Sequence, residues 1–458
     1  MTMLETGPTA TDVCGAGAIE APPDHRRCSG GHATVRAAAL HVIHLSFEGP
    51  DPYSRAGGLA VRVSTLDEAI AATGVPVDLY FVGDPSAPAI EHRRGVTLHR
   101  WCQSISASAT GGVYDAEEDK IAELCTWWPC HVAEQIAAHQ QLGVHTVVLA
   151  EDWHTAWPLI GLHDELVGRG LRGAATLAWT ANNRFGFDRI DFPRLAAAAT
   201  IVTISKAMKH LMWQHAVNPL VVPNGVPDDA LQPVDAIARR VWRECTAGVT
   251  TLAKVGRWDP DKQWHAALRT VAELRDRGER AVLLARGWNG DPAASAHHTE
   301  LRAHAAHLQL PWSRCDLPAS DGSSLAGAVA RWLPADSGVV ELTEPIAGPT
   351  LRSFYAAATM VLANSGFEPF GLVGIEAMAV GGIVVTGSTG EDYVQPFVNG
   401  FAADTGDPAE VVRFLSWLRR CPDRTAQMSA AARATAVRYR WAHTVERLWL
   451  ALGVTPLT

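Results

Sequence analysis

Residues 364–390 read NSGFEPFGLVGIEAMAVGGIVVTGSTG. An apolar run, Met360-Val361-Leu362-Ala363, leads into this stretch and ends in a short polar, glycine-rich turn. Glu368 and Pro369 follow, then a helical pattern that includes Glu376. Proline suits the first helical position, and a carboxylate beside a helix N-terminus meets the positive end of the dipole. The pattern stops at Gly381-Gly382, and Ile383-Val384-Val385 starts a new strand. Strand, tight turn, helix and strand in that order predict a βαβ unit.

In a doubly wound sheet such a turn lies at the carboxyl ends of the strands, where ligands bind. Backbone N–H groups there suit a diphosphate. Two carboxylates eight positions apart along a helix are separated by about 12 Å, at about 1.5 Å per residue. That is too far for a retaining glycosidase pair, which needs about 5 Å. The spacing suits two hydroxyl-bearing groups on either side of a phosphate linker, the layout of a nucleotide-sugar.

The string Glu368-Pro369-Phe370-Gly371-Leu372, with Glu376-Ala-Met-Ala and Gly381-Gly382 after it, resembles the E-x7-E signature of retaining GT-B glycosyltransferases. The likeness is to family 4, the glycosyl transferases of group 1, and to their glycogen and starch synthase relatives. It implies the fold class α/β, GT-B: two doubly wound Rossmann-like domains facing across a cleft. It also implies that Glu376 holds the ribose hydroxyls. Glu368 and the backbone of Phe370, Gly371 and Leu372 are expected to hold the donor sugar and its phosphate.

The chain has 458 residues, more than one core ordinarily holds, so two domains are expected. An apolar content of 47% and a charged content of 19% describe a globular protein. The net charge of −9 argues against a general nucleic-acid binder. No apolar stretch is long enough for a transmembrane helix. Residues 1–37 read as a flexible tail, and they lack the basic region and apolar core of a signal peptide, so a cytoplasmic location is the expectation. The eight cysteines are scattered, and none forms a C-x2-C pair. Reduced thiols are expected, and Cys125-x4-Cys130 is poorly spaced for zinc. Tryptophan stacks well on sugar faces, but most of the sixteen are expected in the core.

In the first half, Leu40–Phe47 reads as a strand, followed by a loop that ends in Arg55-Ala-Gly57-Gly58-Leu59. Two glycines between a first strand and a first helix let a backbone approach a ligand. The loop resembles the K-x-G-G-L segment that lies against donor phosphates, with Arg55 in place of the lysine. A helix is expected over about 117–139, broken or kinked at Pro129. Glu151-Asp152-Trp153-His154-Thr155-Ala156 resembles the H-D-W-H-x-A segment, which implies a place for His154 beside the donor sugar. Here Glu151 replaces the family's first histidine. Ala181-Asn182-Asn183-Arg184 resembles the T-x-H-N loop, with Asn182 at the histidine position and Asn183 and Arg184 as acceptor contacts. Ser205 is expected to cap a helix, and Pro223-Asn224-Gly225-Val226 matches the family's hinge.

In the second half, Gly256-Arg257-Trp258-Asp259-Pro260-Asp261-Lys262 runs from a strand into a turn bearing two cations. Two such charges can neutralise a diphosphate leaving group. The segment resembles the G-R-x-D-x-x-K-G donor motif, which makes Arg257 and Lys262 diphosphate ligands. Gln263 replaces the usual glycine. Gly287-Trp288-Asn289-Gly290 stands where relatives place a turn near the nucleotide. Thr389-Gly390-Glu391-Asp392-Tyr393 resembles another family turn, and a last helix is expected over about 425–452.

The domains are expected at 38–220 on the acceptor side and 221–435 on the donor side, with 436–458 crossing back. The expected function is transfer of a hexose, glucose foremost, from a nucleotide diphosphate sugar to a carbohydrate or small-molecule acceptor. Glu368, His154, Arg257 and Lys262 are the catalytic candidates. No cofactor and no metal are expected, because Arg257, Lys262 and helix N-termini would take over the charge of a magnesium ion. The alternatives on the same fold are an epimerase, a phosphorylase or a non-catalytic nucleotide-sugar binder. The sequence shows no carboxylates poised for proton removal and no pyridoxal lysine, while both cations and both glutamates are present. Oligomeric state has no signature.

Overall fold

The computed structural model describes residues 35–36, 39–109, 111–288, 292–316, 321–333, 336–403 and 406–455. Most of the tail expected over 1–37, and Asn289 and Gly290, lie outside these residues.

Two sheets organise the chain. The first has eight strands, in the order Ile90–Arg93, Val96–Trp101, Val77–Val82, Ala39–Leu45, Val144–Glu151, Ala175–Ala181, Thr200–Thr203 and Leu220–Val221. All its pairings are parallel except Ile90–Arg93 with Val96–Trp101. The second has seven strands, all parallel, in the order Trp312–Cys315, Val339–Leu342, Ala281–Trp288, Thr250–Arg257, Met360–Ala363, Val384–Thr386 and Phe401–Ala402. Parallel strands are covered on both faces, which explains the uninterrupted apolar runs that mark them. Separate apolar clusters pack the two sides of each sheet. The architecture is the two-domain α/β GT-B fold.

The sequence misplaced several boundaries. The helix Leu372–Ala379 starts three residues after Pro369, so Pro369 is not its first residue and Glu368 sits in the preceding loop. The axial estimate of 12 Å, which assumed one helix, therefore does not apply. Helix Glu117–Gln141 runs through Pro129 without a break. The expected last helix is two, Pro422–Val437 and Trp441–Leu452. The interruption has a tertiary cause: Val226 N–H donates to Tyr439 C=O, Val226 and Arg440 form a β-bridge, and Trp441 lies so close over Gly225 that a Cβ there would sit 2.2 Å from its ring. Trp441, Val445, Leu448, Trp449 and Leu452 then pack with the core of the first sheet. Val35–Arg36, expected within the tail, pairs in parallel with Val454–Thr455. No described helix is long and apolar enough to cross a membrane.

Candidate active site

In each sheet the strand order reverses between two central neighbours, and a crevice opens there at the carboxyl ends. In the first sheet these are Ala39–Leu45 and Val144–Glu151; in the second, Thr250–Arg257 and Met360–Ala363. The segments bearing Arg55, His154, Arg257 and Glu368 end or follow these four strands, and Asn183 and Arg184 follow the neighbouring Ala175–Ala181.

On the second sheet, the turn after Arg257 and the loop after Ala363 are tied together. Gly366 N–H donates to Asp261 C=O at 2.7 Å. Lys262 Nζ lies 3.1 Å from Glu368 Oε1, and both side chains remain about one-fifth exposed. Ser365 Oγ donates to Glu368 Oε2 at 2.7 Å. Arg257 is half exposed, with Asp259 at 3.5 Å as its carboxylate neighbour. Trp264 Nε1 donates to Arg257 C=O at 2.8 Å and steadies the turn from below. Gln263, where relatives carry glycine, has φ of +56°, the left-handed region. For a residue with a Cβ that conformation costs about 1–2 kcal/mol.

Glu376 receives a hydrogen bond from Tyr355 Oη at 3.4 Å. Burial, together with Asp229 and Glu368, pushes its pKa up to about 7. Phe370 is buried against Tyr393. Gly371 has φ of +80° and presents its C=O to Tyr393 Oη at 2.7 Å, so its backbone is held in place at the start of the helix.

Lys254 escaped the sequence reading. Its Nζ donates to Leu362 C=O at 3.1 Å and to Asn364 Oδ1 at 3.2 Å, fully buried beneath the loop that bears Glu368. Burial first, then Lys262, brings its pKa down to about 7. The available signal was a lone lysine inside an apolar strand.

The first sheet presents a more enclosed set. Arg55 is exposed, and its guanidinium donates to Pro50 C=O at 3.2 Å. The N–H groups of Ala56, Gly57 and Ala60 all donate to Glu48 Oε2, at 3.2, 3.0 and 3.3 Å. Tyr114 Oη donates to Glu48 Oε1 at 2.6 Å. The chain's own carboxylate thus occupies the anion position at the N-terminus of helix Gly58–Ala71, where Gly57 and Gly58 were expected to meet a phosphate. Glu48 was missed because nothing local marks it; its partners come from residues 56–60 and 114.

His154 is buried, stacked on Phe47 at 4.2 Å and on Trp153 at 4.0 Å. Its Nε2 lies 2.8 Å from Glu117, while Nδ1 has no partner among the described residues. Burial lowers its pKa, against the pull of Glu117.

The two departures from the family pattern touch each other. Asn182 Nδ2 donates to Glu151 Oε2, while Arg62 and His44 approach the same carboxylate at 3.4 and 3.3 Å. Arg62 also donates to Asn224 Oδ1 in the hinge, and His44 meets Asp67 at 2.7 Å. Burial disfavours the charge on Glu151, yet Arg62 and His44 outweigh it and bring its pKa down to about 2. Burial likewise opposes protonation of His44, and Asp67 and Glu151 overcome it, raising its pKa to about 9. Asn183 donates to Asp152 Oδ2 at 2.6 Å and is turned inward. Arg184 lies over the Phe367 ring at 4.7 Å and so bridges from the first lobe to the residue beside Glu368. Ser205 caps its helix by accepting from Met208 N–H at 3.0 Å. Among the described residues Cys102, Cys125, Cys130, Cys245, Cys315 and Cys421 are free thiols.

Comparison with known proteins agrees with this arrangement. Residues 339–435 match the glycosyl transferases group 1 family. A D-inositol 3-phosphate glycosyltransferase of Geodermatophilus obscurus is 26% identical over 440 residues, covering 91% of this chain and 89% of its own. The protein of the same name from Streptomyces scabiei is 28% identical over 437 residues, covering 90% and 89%. The chain is a glycosyltransferase whose residues 339–435 resemble the group 1 family. Among solved structures, this glycosyltransferase shares its fold with sucrose-phosphate synthase from Thermosynechococcus elongatus, with a TM-score of 0.59, 20% identity and coverage of 90% and 98%. It shares it also with the catalytic domain of Arabidopsis thaliana starch synthase IV bound to ADP and acarbose, with a TM-score of 0.63, 14% identity and coverage of 91% and 99%. The glycosyltransferase moves a sugar from a nucleotide sugar, and the matched residues include Glu368 and Glu376.

Proposed function

We propose that this enzyme is a retaining, metal-independent hexosyltransferase that takes a glucose-type sugar from a nucleotide diphosphate. The reading rests on one observation: Lys262 and Glu368 meet at 3.1 Å where the second sheet's strand order reverses. Each serves as the other's counter-ion. A bound donor would part them. Lys262, with Arg257, would take the diphosphate, and Glu368 would accept hydrogen bonds from the sugar hydroxyls. The ammonium and guanidinium then oppose the charge that develops on the leaving phosphate, so no metal is required.

Glu376 would receive the ribose hydroxyls. On the first lobe, His154 would sit against the sugar, with Phe47 and Trp153 holding its ring. No side chain in this reading serves as a covalent nucleophile. The departing phosphate oxygen takes the acceptor's proton as the glycosidic bond breaks, and the new bond forms on the same face. Closure of the lobes would keep water from competing as acceptor. Arg55 and Arg184 have no carboxylate partner among the described residues. Together with the inositol 3-phosphate in the relatives' names, this puts phosphorylated polyols first among acceptors to try.

The test is release of nucleoside diphosphate from a panel of nucleotide sugars, with and without D-inositol 3-phosphate. Lys262→Ala and Glu368→Ala should each lower kcat about 100- to 1000-fold at saturating donor. Unchanged turnover in both variants would overturn the site, and an inverted anomer in the product would overturn retention.

A further inference from the structure

Helix Pro292–His307 reads PAASAHHTELRAHAAH and bears four histidines that the transfer reaction does not use. His297, Glu300 and His304 stand at i, i+3 and i+7. At about 100° per residue they share one face of the helix. That face meets His265, on the neighbouring helix Trp264–Asp276.

Three of these side chains, His265, His297 and Glu300, converge. His265 Nε2 lies 3.5 Å from Glu300 Oε1, and His297 Nδ1 lies 3.2 Å from Glu300 Oε2. One ligand atom from each of His265, His297 and Glu300 fits within 4.8 Å of the other two. Zinc bonds nitrogen and carboxylate oxygen at about 2.0–2.2 Å, so neighbouring donors of a tetrahedral site stand about 3.3 Å apart. Two contacts have about that length, one to each oxygen of Glu300.

Two of the histidine rings keep a nitrogen without a partner among the described residues. The His297 side chain is 8% exposed, and its Nε2 has no partner among the described residues. His304 stacks edge-on against His265 at 4.7 Å, and its Nε2 is also without a partner among the described residues. His298, by contrast, is engaged by Glu341 at 3.2 Å and by the Trp258 ring, so it belongs to the core behind the donor turn.

We propose that His265, His297 and Glu300 form a binding site for a first-row divalent metal ion, zinc foremost, with water completing the coordination. Two imidazoles and one carboxylate are a donor set that zinc accepts. The ion would staple the two helices together. His265 lies three residues after Lys262, and Trp264 between them holds the Arg257 carbonyl. A metal here would therefore stiffen the base of the donor turn without entering the crevice. The site is independent of which sugar or acceptor the enzyme uses.

The experiment is titration of the chelator-treated full-length protein with zinc chloride, followed by calorimetry and thermal melting, and with cobalt chloride, followed by visible absorption. We expect one zinc per chain lost on His265→Ala, a rise in Tm with zinc, and a cobalt band of tetrahedral intensity. Glu300→Gln, at a residue whose side chain is 65% exposed, should leave the fold intact and weaken zinc at least tenfold. His307→Ala, on the same helix but outside the cluster, should leave binding unchanged. Failure to bind zinc, or binding that survives both His265→Ala and Glu300→Gln, would overturn the proposal and leave the cluster as ordinary ion pairs.

Discussion

The two lobes meet the same crevice in opposite states. On the second lobe the charged groups are waiting: Lys262 and Glu368 are partly exposed, Arg257 is half exposed, and Glu376 has only a 3.4 Å hydrogen bond. On the first lobe the charged groups are already spent on one another. Glu48 fills the helix N-terminus, His154 holds Glu117, and Glu151 is enclosed by His44, Arg62 and Asn182. Binding to the second lobe replaces one partner with another. Binding to the first lobe must use what this network leaves over, which is rings, Arg55 and Arg184. The proposed donor grip keeps the charged residues of the motif it resembles, while the first lobe encloses a buried carboxylate.

The largest expected effect tests that rebuilding. Removing one member of a buried ion pair leaves the other uncompensated and costs about 3–5 kcal/mol. Glu151→Ala should therefore lower unfolding free energy in urea by about that amount, since Arg62 loses its anion and His44 is left with Asp67 alone. Asn182→Ala should cost about 1–3 kcal/mol. The double variant should lose less than the sum, with a coupling of about 0.5–3 kcal/mol. Additivity within about 0.5 kcal/mol would mean that the two departures are unrelated and that the comparison between lobes is overdrawn.

This coupling also marks where the sequence stopped being legible. The proposed donor grip lies in two short segments, 256–263 and 364–376, each at the end of an apolar strand, so their place in the fold could be read locally. The αβ rhythm gave both sheets for the same reason. Asn182 and Glu151 are 31 residues apart, and Arg62 and Asn224 are 162 apart. Each looked like an isolated departure or a surface charge until folding brought it beside its partner. Glu48 hid in the same way. The single long terminal helix failed because residues 438–440 pair with the hinge at Val226, a tertiary demand that helical propensity does not register. Pro129 misled in the opposite direction, since packing keeps its helix continuous.

The next effect separates the lobes by pH. Burial raises the Glu376 pKa from 4.5 to about 7 in the folded protein. A raised carboxyl contributes stability fully below its unfolded pKa and loses it as pH rises through the folded value. The stability of the wild type relative to Glu376→Gln should therefore fall between pH 4.5 and 7, by at most about 3.5 kcal/mol at about 1.4 kcal/mol per unit. Glu151, whose pKa is depressed to about 2, contributes in the opposite sense: its share is present above its ordinary value and lost only as pH falls through 2. Denaturant midpoints of both variants across that range would show it. A flat difference for Glu376→Gln would mean that the second lobe is as settled as the first.

The smallest effect asks whether the first lobe can be reopened. Glu48→Ala removes a carboxylate that accepts three N–H bonds at the start of helix Gly58–Ala71, and losing such a cap costs about 1 kcal/mol. The same change frees the positive end of the helix for an external anion, worth about 0.3–1 kcal/mol. Donor KM should accordingly fall about two- to fivefold while Tm drops slightly, a divergence that a merely damaged fold would not produce. If KM rises together with the loss of stability, Glu48 positions the pocket as it stands and the donor phosphate never reaches Gly57 and Gly58. The grip would then belong to the second lobe alone, and the first lobe's part in the reaction would be reduced to the rings of Phe47 and Trp153 and whatever the acceptor finds there.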